Sequence, residues 1–204
     1  MVILGLTGSI GMGKSTAAAM LRRLGVPVHD SDAAVHRLLG PGGRAVARVE
    51  AAFPGVVADG AVDRSALGKR VFGDADALRR LEGILHPMVG AEKGRFLRRW
   101  AARRVRVVAL DVPLLFETGG ERRCDATILV TASAFVQAGR VLRRPGMTAK
   151  RLAEIRAKQM ADGEKRRRAD FIVMTGNGFN STLRRLTGIV RLMEHRTGCH
   201  WPPR

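Results

Sequence analysis

Tyrosine is absent from this chain of 204 residues, aromatic side chains of all kinds make up 4%, and there are only two cysteines. Each scarcity excludes something. Proteins that hold single-stranded nucleic acid stack its bases on aromatic rings, so that class loses support. Cys124 and Cys199 are too few to staple a chain of this size with disulfides, and neither belongs to a CxxC pair or a metal-spaced Cys/His set, which suits a reducing compartment. No apolar run approaches the ~18 residues of a membrane-spanning helix, so no membrane partner is expected. Met1 to Leu6 is apolar but has no basic flank and gives way to glycine at Gly8, so no cleaved leader is expected and a cytoplasmic location is. Acidic residues are also short: 18 Asp and Glu stand against 36 Lys and Arg, a formal charge of +18.

With 46% hydrophobic residues the chain has material for a real core, which excludes a disordered polyelectrolyte. The cationic excess calls for an anionic partner: nucleic acid, a membrane surface, or a small ligand with several phosphates. Thirty of the 36 cations are arginine, which reads equally as guanidinium recognition of phosphate or as the base composition of the genome. The charge is also uneven. Residues 1–36 hold three cations and two acids, whereas residues 140–168 hold eleven cations and three acids, and Arg95, Arg98, Arg99, Arg103, Arg104 and Arg106 form a second cluster.

Alternating strands and helices predict a doubly wound α/β fold with a mostly parallel, five-stranded sheet. Val2–Thr7 reads as a buried strand, followed by a glycine loop and an Ala- and Leu-rich helix ending near Leu24 and Gly25. A short strand ends in Asp30-Ser31-Asp32. From Ala33 to about Arg104 the pattern is helical, and His86-Pro87 predicts a break between helices over 74–85 and 88–102, because proline disfavours a helical residue before it. Strands are expected at Val105–Leu110, Ala126–Thr131 and Phe171–Met174. Between the last two lie a helix over 133–143 and a basic helix capped by Thr148, reaching about Met160. Asn180 is the expected cap of a last helix.

The chemistry sits on this plan. Gly8, four residues, then Gly13-Lys14-Ser15 is a complete phosphate-loop pattern between a strand and a helix. The glycines allow successive backbone N–H groups to turn toward phosphate oxygens, the helix directs its positive end at them, Lys14 reaches the β- and γ-phosphates, and Ser15 ligates Mg²⁺. Phosphoryl transfer also needs a carboxylate for the acceptor and cations for the transferring charge. Asp30 and Asp32 follow a strand, where ligands of open α/β sheets bind, and one of them is expected to cap the next helix while Asp32 serves as base. Asp111 closes an apolar strand, as a carboxylate serving the metal does. The basic segment 140–168 reads as a lid or as a solvated helix face, and His86 as a substrate contact or a structural residue.

Taken in order, the loop Gly5–Thr16, Asp30-Ser31-Asp32, Leu85-His86-Pro87, Asp111-Val112-Pro113-Leu114-Leu115-Phe116-Glu117, Gln137 with Arg140, Gln159 and Ala169-Asp170-Phe171-Ile172-Val173 resemble the dephospho-coenzyme A kinase family. The resemblance covers residue 3 to about 180. It implies a P-loop kinase fold with a core (about 1–32, 105–138 and 169–204), a helical substrate-binding subdomain (about 33–104) and a lid (about 139–168). It implies ATP, with Mg²⁺, and dephospho-CoA as ligands, and phosphorylation of the ribose 3′-hydroxyl. Nucleic acid is then not expected as a partner, and a monomer is. Asp32, Lys14 and Arg140 match catalytic positions. Gly8, Ser9, Ile10, Gly11, Met12, Gly13, Lys14, Ser15 and Thr16, with Arg144 and Thr175, match the nucleotide side; Asp32, His86, Pro113, Leu114 and Glu117 match the acceptor side; Ser15 and Asp111 match the metal side. Met12 stands where the family usually has serine, and Thr175 where many members have asparagine near the adenine. A nucleoside monophosphate kinase shares the phosphate loop but not these acceptor motifs, and a nucleic-acid binder switched by ATP rests on charge alone.

Overall fold

The structure, a computed structural model, describes residues 1–202. In chain order the elements are β1 (Val2–Thr7), α1 (Lys14–Arg23), β2 (Val28–Asp30), α2 (Ser31–Leu39), α3 (Val46–Ala52), β3 (Val57–Ala58), β4 (Ala61–Val62), α4 (Arg64–Val71), α5 (Ala75–Ala102), β5 (Val107–Asp111), a 3-10 turn (Gly120–Arg123), β6 (Ala126–Thr131), α6 (Ala134–Leu142), α7 (Ala149–Ala157), α8 (Asp162–Arg168), β7 (Phe171–Met174) and α9 (Phe179–Glu194). Five strands form one sheet in the order β2-β5-β1-β6-β7, with β1 parallel to both β5 and β6 and β6 parallel to β7.

The register explains why β1 reads as an unbroken apolar run. Val2 lies beside Val107, Leu4 beside Ala109 and Ala126, and Val130 beside Val173. Side chains alternate across a strand, so these residues share one face. They pack with Ala17, Met20 and Leu21 of α1 and Leu186, Ile189, Val190 and Met193 of α9. Ile3, Val108, Leu110 and Leu129 point the other way and are also buried. A strand covered on both faces has no polar positions to alternate with. Asp170 pins the edge register: it accepts hydrogen bonds from Thr127 N–H and Oγ1 at 2.8 and 2.7 Å, just before β7 pairs with β6.

The chain divides into two units, one made of residues 1–29 with residues 100 onward, the other of Asp30–Arg99. The second unit has its own core, with Leu38, Val49, Phe53, Val56, Val62, Leu67 and Leu85 buried together. Its small hairpin, β3 against β4, is held by Glu50, whose carboxylate accepts from the N–H groups of Gly55, Val56 and Val57.

Three expectations need correction. The helix does not break at His86-Pro87; α5 runs through Pro87 as one helix of 28 residues. Leu81, Ile84, Leu85, Met88 and Val89 form a single stripe, spaced three and four apart, that packs on the second core on both sides of the proline. That packing offsets the lost hydrogen bond and ring clash, about 3 kcal/mol. Asn180 does not cap the last helix: α9 begins at Phe179 after Gly178, and its second residue is Asn180. The basic helix stops at Ala157, and a second one, α8, takes residues 162–168.

Candidate active site

Between β1 and α1 the chain makes the phosphate loop, and its glycines are required by space as well as by torsion. A Cβ on Gly8 would stand 2.5 Å from Val130 Cγ2 and 2.7 Å from the Val130 carbonyl oxygen. Gly13 occupies the left-handed region at φ 89° as it leads into α1, where a side chain would be strained. The N-terminus of α1 therefore opens directly on the loop, with Ser15 and Thr16 exposed in its first turn. Met12 turns inward: it is buried, and its Sδ accepts from Ala132 N–H.

Distant residues hold the loop's shape. Gln137 donates to the Ile10 carbonyl at 2.7 Å, and Gln159 accepts from Ile10 N–H at 3.2 Å. Thr175 donates to the Met12 carbonyl at 2.7 Å and accepts from Arg140 at 2.9 Å, while the same guanidinium donates to the Thr175 carbonyl at 2.8 Å and to the Gly11 carbonyl at 3.4 Å. Arg140 is thus fixed beside the loop from α6, not carried on α7 or α8. Arg144, two residues past α6, is exposed.

Composition hid one residue altogether. Lys165 lies in the basic run of α8, yet its side chain is 0% exposed. Its ammonium pairs with Glu117 at 2.8 Å and donates to Ser9 Oγ in the phosphate loop at 3.3 Å. Glu117 also accepts from Met160 N–H. Burial pushes the Glu117 carboxyl up, but the hydrogen bond and charge of Lys165, together with the hydrogen bonds from the N–H groups of Glu117 and Met160, outweigh it and hold the group below its ordinary value. Nothing in the local sequence separates Lys165 from the three arginines that follow it.

At the carboxyl end of β5, Asp111 is buried and forms an ion pair with Lys14 at 2.6 Å. Pro113 follows, its carbonyl accepting from Thr7 at 3.0 Å, and Leu114 is exposed. Two clefts flank the loop. One, of about 260 Å³, is lined by Gly13, Thr16, Arg140, Thr175, Gly176 and Phe179. The other, of about 480 Å³, is lined by Ser9, Met12, Gln137, Arg156, Gln159 and Asp162.

In the second unit the two aspartates separate. Asp30 caps α2 by accepting from Ala33 N–H at 2.9 Å. Asp32, in the first turn of α2, is exposed, and among the described residues its carboxylate makes no hydrogen bond or ion pair. His86 is exposed on α5.

The family model described as dephospho-CoA kinase matches residues 2–180. The chain belongs to the dephospho-CoA kinase family. The dephospho-CoA kinase of Paramagnetospirillum magneticum is 68% identical over 166 residues, 81% of this chain and 78% of that protein. The one from Mesorhizobium japonicum is 55% identical over 198 residues, 97% of this chain and all of its relative. A Thermus thermophilus protein of known crystal structure is 36% identical and superposes with a TM-score of 0.82, over 96% of this chain and 98% of that one. Met12 and Thr175 both face inward: the methionine packs in the core, and the Thr175 hydroxyl braces the loop. No helix among the described residues is long and apolar enough to cross a membrane.

Proposed function

We propose that this chain transfers the γ-phosphoryl group of ATP to the ribose 3′-hydroxyl of dephospho-CoA, giving coenzyme A and ADP, as a cytoplasmic monomer. The observation that carries this reading is the match to a dephospho-CoA kinase that runs the length of both proteins. The loop amides and Lys14 hold the β- and γ-phosphates, and the cleft lined by Thr16, Arg140, Thr175 and Phe179 takes the adenine. Residues 33–104 hold the acceptor, with His86, Pro113, Leu114 and Glu117 on its side. Residues 139–168 close over the phosphates and exclude water, which suppresses hydrolysis of ATP.

Asp32 takes the 3′-hydroxyl proton as that oxygen bonds to the γ-phosphorus. The bond from the γ-phosphorus to the bridging oxygen breaks, and ADP leaves with the electron pair. Arg140 and Arg144 balance the charge that develops on the transferring oxygens. Ser15 and Asp111 are oxygen donors, one at the first turn of α1 and one at the end of β5, and such a set suits Mg²⁺. When bound there, Mg²⁺ screens the negative charge of the phosphates.

The test is an acceptor panel with ATP: dephospho-CoA, AMP, CMP and RNA, read by ADP release and by the mass of the product. Phosphorylated product from dephospho-CoA alone is the expected result. Turnover stimulated only by RNA, or transfer only to a nucleoside monophosphate, overturns the assignment.

A further inference from the structure

After α9 the chain returns to the start of the sheet and meets Asp125, the residue before β6. Asp125 Oδ2 accepts from Ile3 N–H of β1 at 2.7 Å, and Oδ1 accepts from the N–H groups of Cys199 and His200 at 2.6 and 3.2 Å. The approach is close enough to require glycine: a Cβ on Gly198 would stand 2.1 Å from the Met1 carbonyl oxygen and 3.0 Å from Asp125 Oδ2.

This docking places three side-chain donors together. Cys199 Sγ lies 3.3 Å from Asp125 Oδ1, His200 Nδ1 lies 3.0 Å from the same oxygen, and Sγ and Nδ1 are 3.4 Å apart. Tetrahedral zinc, with bonds of about 2.0–2.1 Å to nitrogen and oxygen and about 2.3 Å to sulfur, has donor-to-donor edges of roughly 3.3–3.7 Å. The triangle therefore needs to open by only a few tenths of an ångström. The three backbone N–H groups already orient the carboxylate, as outer partners do around bound metals. Thiolate, imidazole and carboxylate together select zinc over magnesium or calcium.

We propose that Asp125, Cys199 and His200 form a zinc site, completed by a water molecule, that fastens the segment after α9 to the beginnings of β1 and β6. On binding, the thiol proton leaves to solvent and His200 coordinates through Nδ1 with its proton on Nε2. None of the three residues takes part in the phosphate loop or the reaction proposed above, so the site stands or falls independently of them.

The experiment uses the full chain, expressed without a histidine tag and stripped with a chelator. Zinc is titrated against a chromophoric chelator, and cobalt is added separately as a spectroscopic probe. One zinc per chain is expected, with a thiolate-to-cobalt charge-transfer band in the near ultraviolet. Cys199→Ser and His200→Ala should each weaken zinc binding by about 10²-fold or more, the scale on which even outer partners of a metal act. Cys199→Ser should also remove the band, with kinase turnover unchanged as the control for folding. Cys124→Ser separates the two thiols and should leave both readouts in place. Absence of zinc uptake at micromolar metal by the wild-type chain, or zinc binding and a charge-transfer band that survive Cys199→Ser, overturns the proposal.

Discussion

Replacing Lys165 by Met keeps the length of the side chain and removes its charge. In the wild type that ammonium is fully shielded from solvent, while the side chain of its partner Glu117 is 17% exposed. Breaking a buried ion pair from one side costs about 3–5 kcal/mol, because the remaining charge keeps its desolvation penalty without its compensation. Glu117 retains the N–H of Met160 and some access to water, which places the cost near the lower end, about 3 kcal/mol. For a chain of this size each kcal/mol moves the melting temperature by about 2–4 °C, so a fall of about 6–12 °C is expected. Urea unfolding of Lys165→Met, Glu117→Leu and the double variant measures the pair directly. The double variant should cost less than the two single changes together by about 1–3 kcal/mol, the coupling typical of contacting residues. A Lys165→Met chain within about 1 kcal/mol of wild type, with an unchanged dependence on urea, refutes the reasoning.

Asp32→Asn should leave ATP binding intact and lower turnover by at least ~10²-fold, the low end for general-base catalysis; near-wild-type turnover in steady-state assays removes Asp32 from that role. Lys14→Ala should reduce kcat/KM by about 10²-fold or more, on the scale of losing one preorganised charge donor, and an unchanged kcat/KM argues against the phosphate-loop reading. The Glu117 carboxyl is lowered in the folded chain, so the stability it contributes is complete above its unfolded value near 4.3 and is lost as pH falls below that through the folded value. Urea midpoints followed from pH 6 downward should therefore fall less steeply in Glu117→Gln than in wild type below about pH 4.3; parallel curves refute the assignment.

What could be read from the residue string was local. The apolar run of β1, the glycines before α1 and the Thr148 cap, which accepts from Arg151 N–H, each declare themselves within a few positions. So does Asp111 at the end of β5. The misreadings arose where distant packing decides. Pro87 obeys its own steric rule in isolation, but the stripe from Leu81 to Val89 needs both halves of α5 on one core. Lys165 sits in a run of four cations, and only the fold turns that one toward Glu117 and Ser9. Gln137 and Gln159 carry no chemical signature beyond their place in a motif, yet both grip Ile10. Asp125, Cys199 and His200 meet across more than seventy positions, a closeness that no spacing rule detects.

The central place of β1 has a consequence for the order in which the chain is made. It leaves the ribosome before its neighbours in the sheet, which begin at Val107 and Ala126, and at about 5–20 residues per second Val107 follows on the order of 5–20 s behind. The braces of the loop come later still, from Arg140 and then Thr175. The loop after β1 is therefore among the last parts to take its working shape, although its residues are made long before those that brace it. Throughout that interval a bare apolar strand waits beside an unformed loop, and a chain halted before Thr175 carries the loop's amino acids without the brace that shapes it.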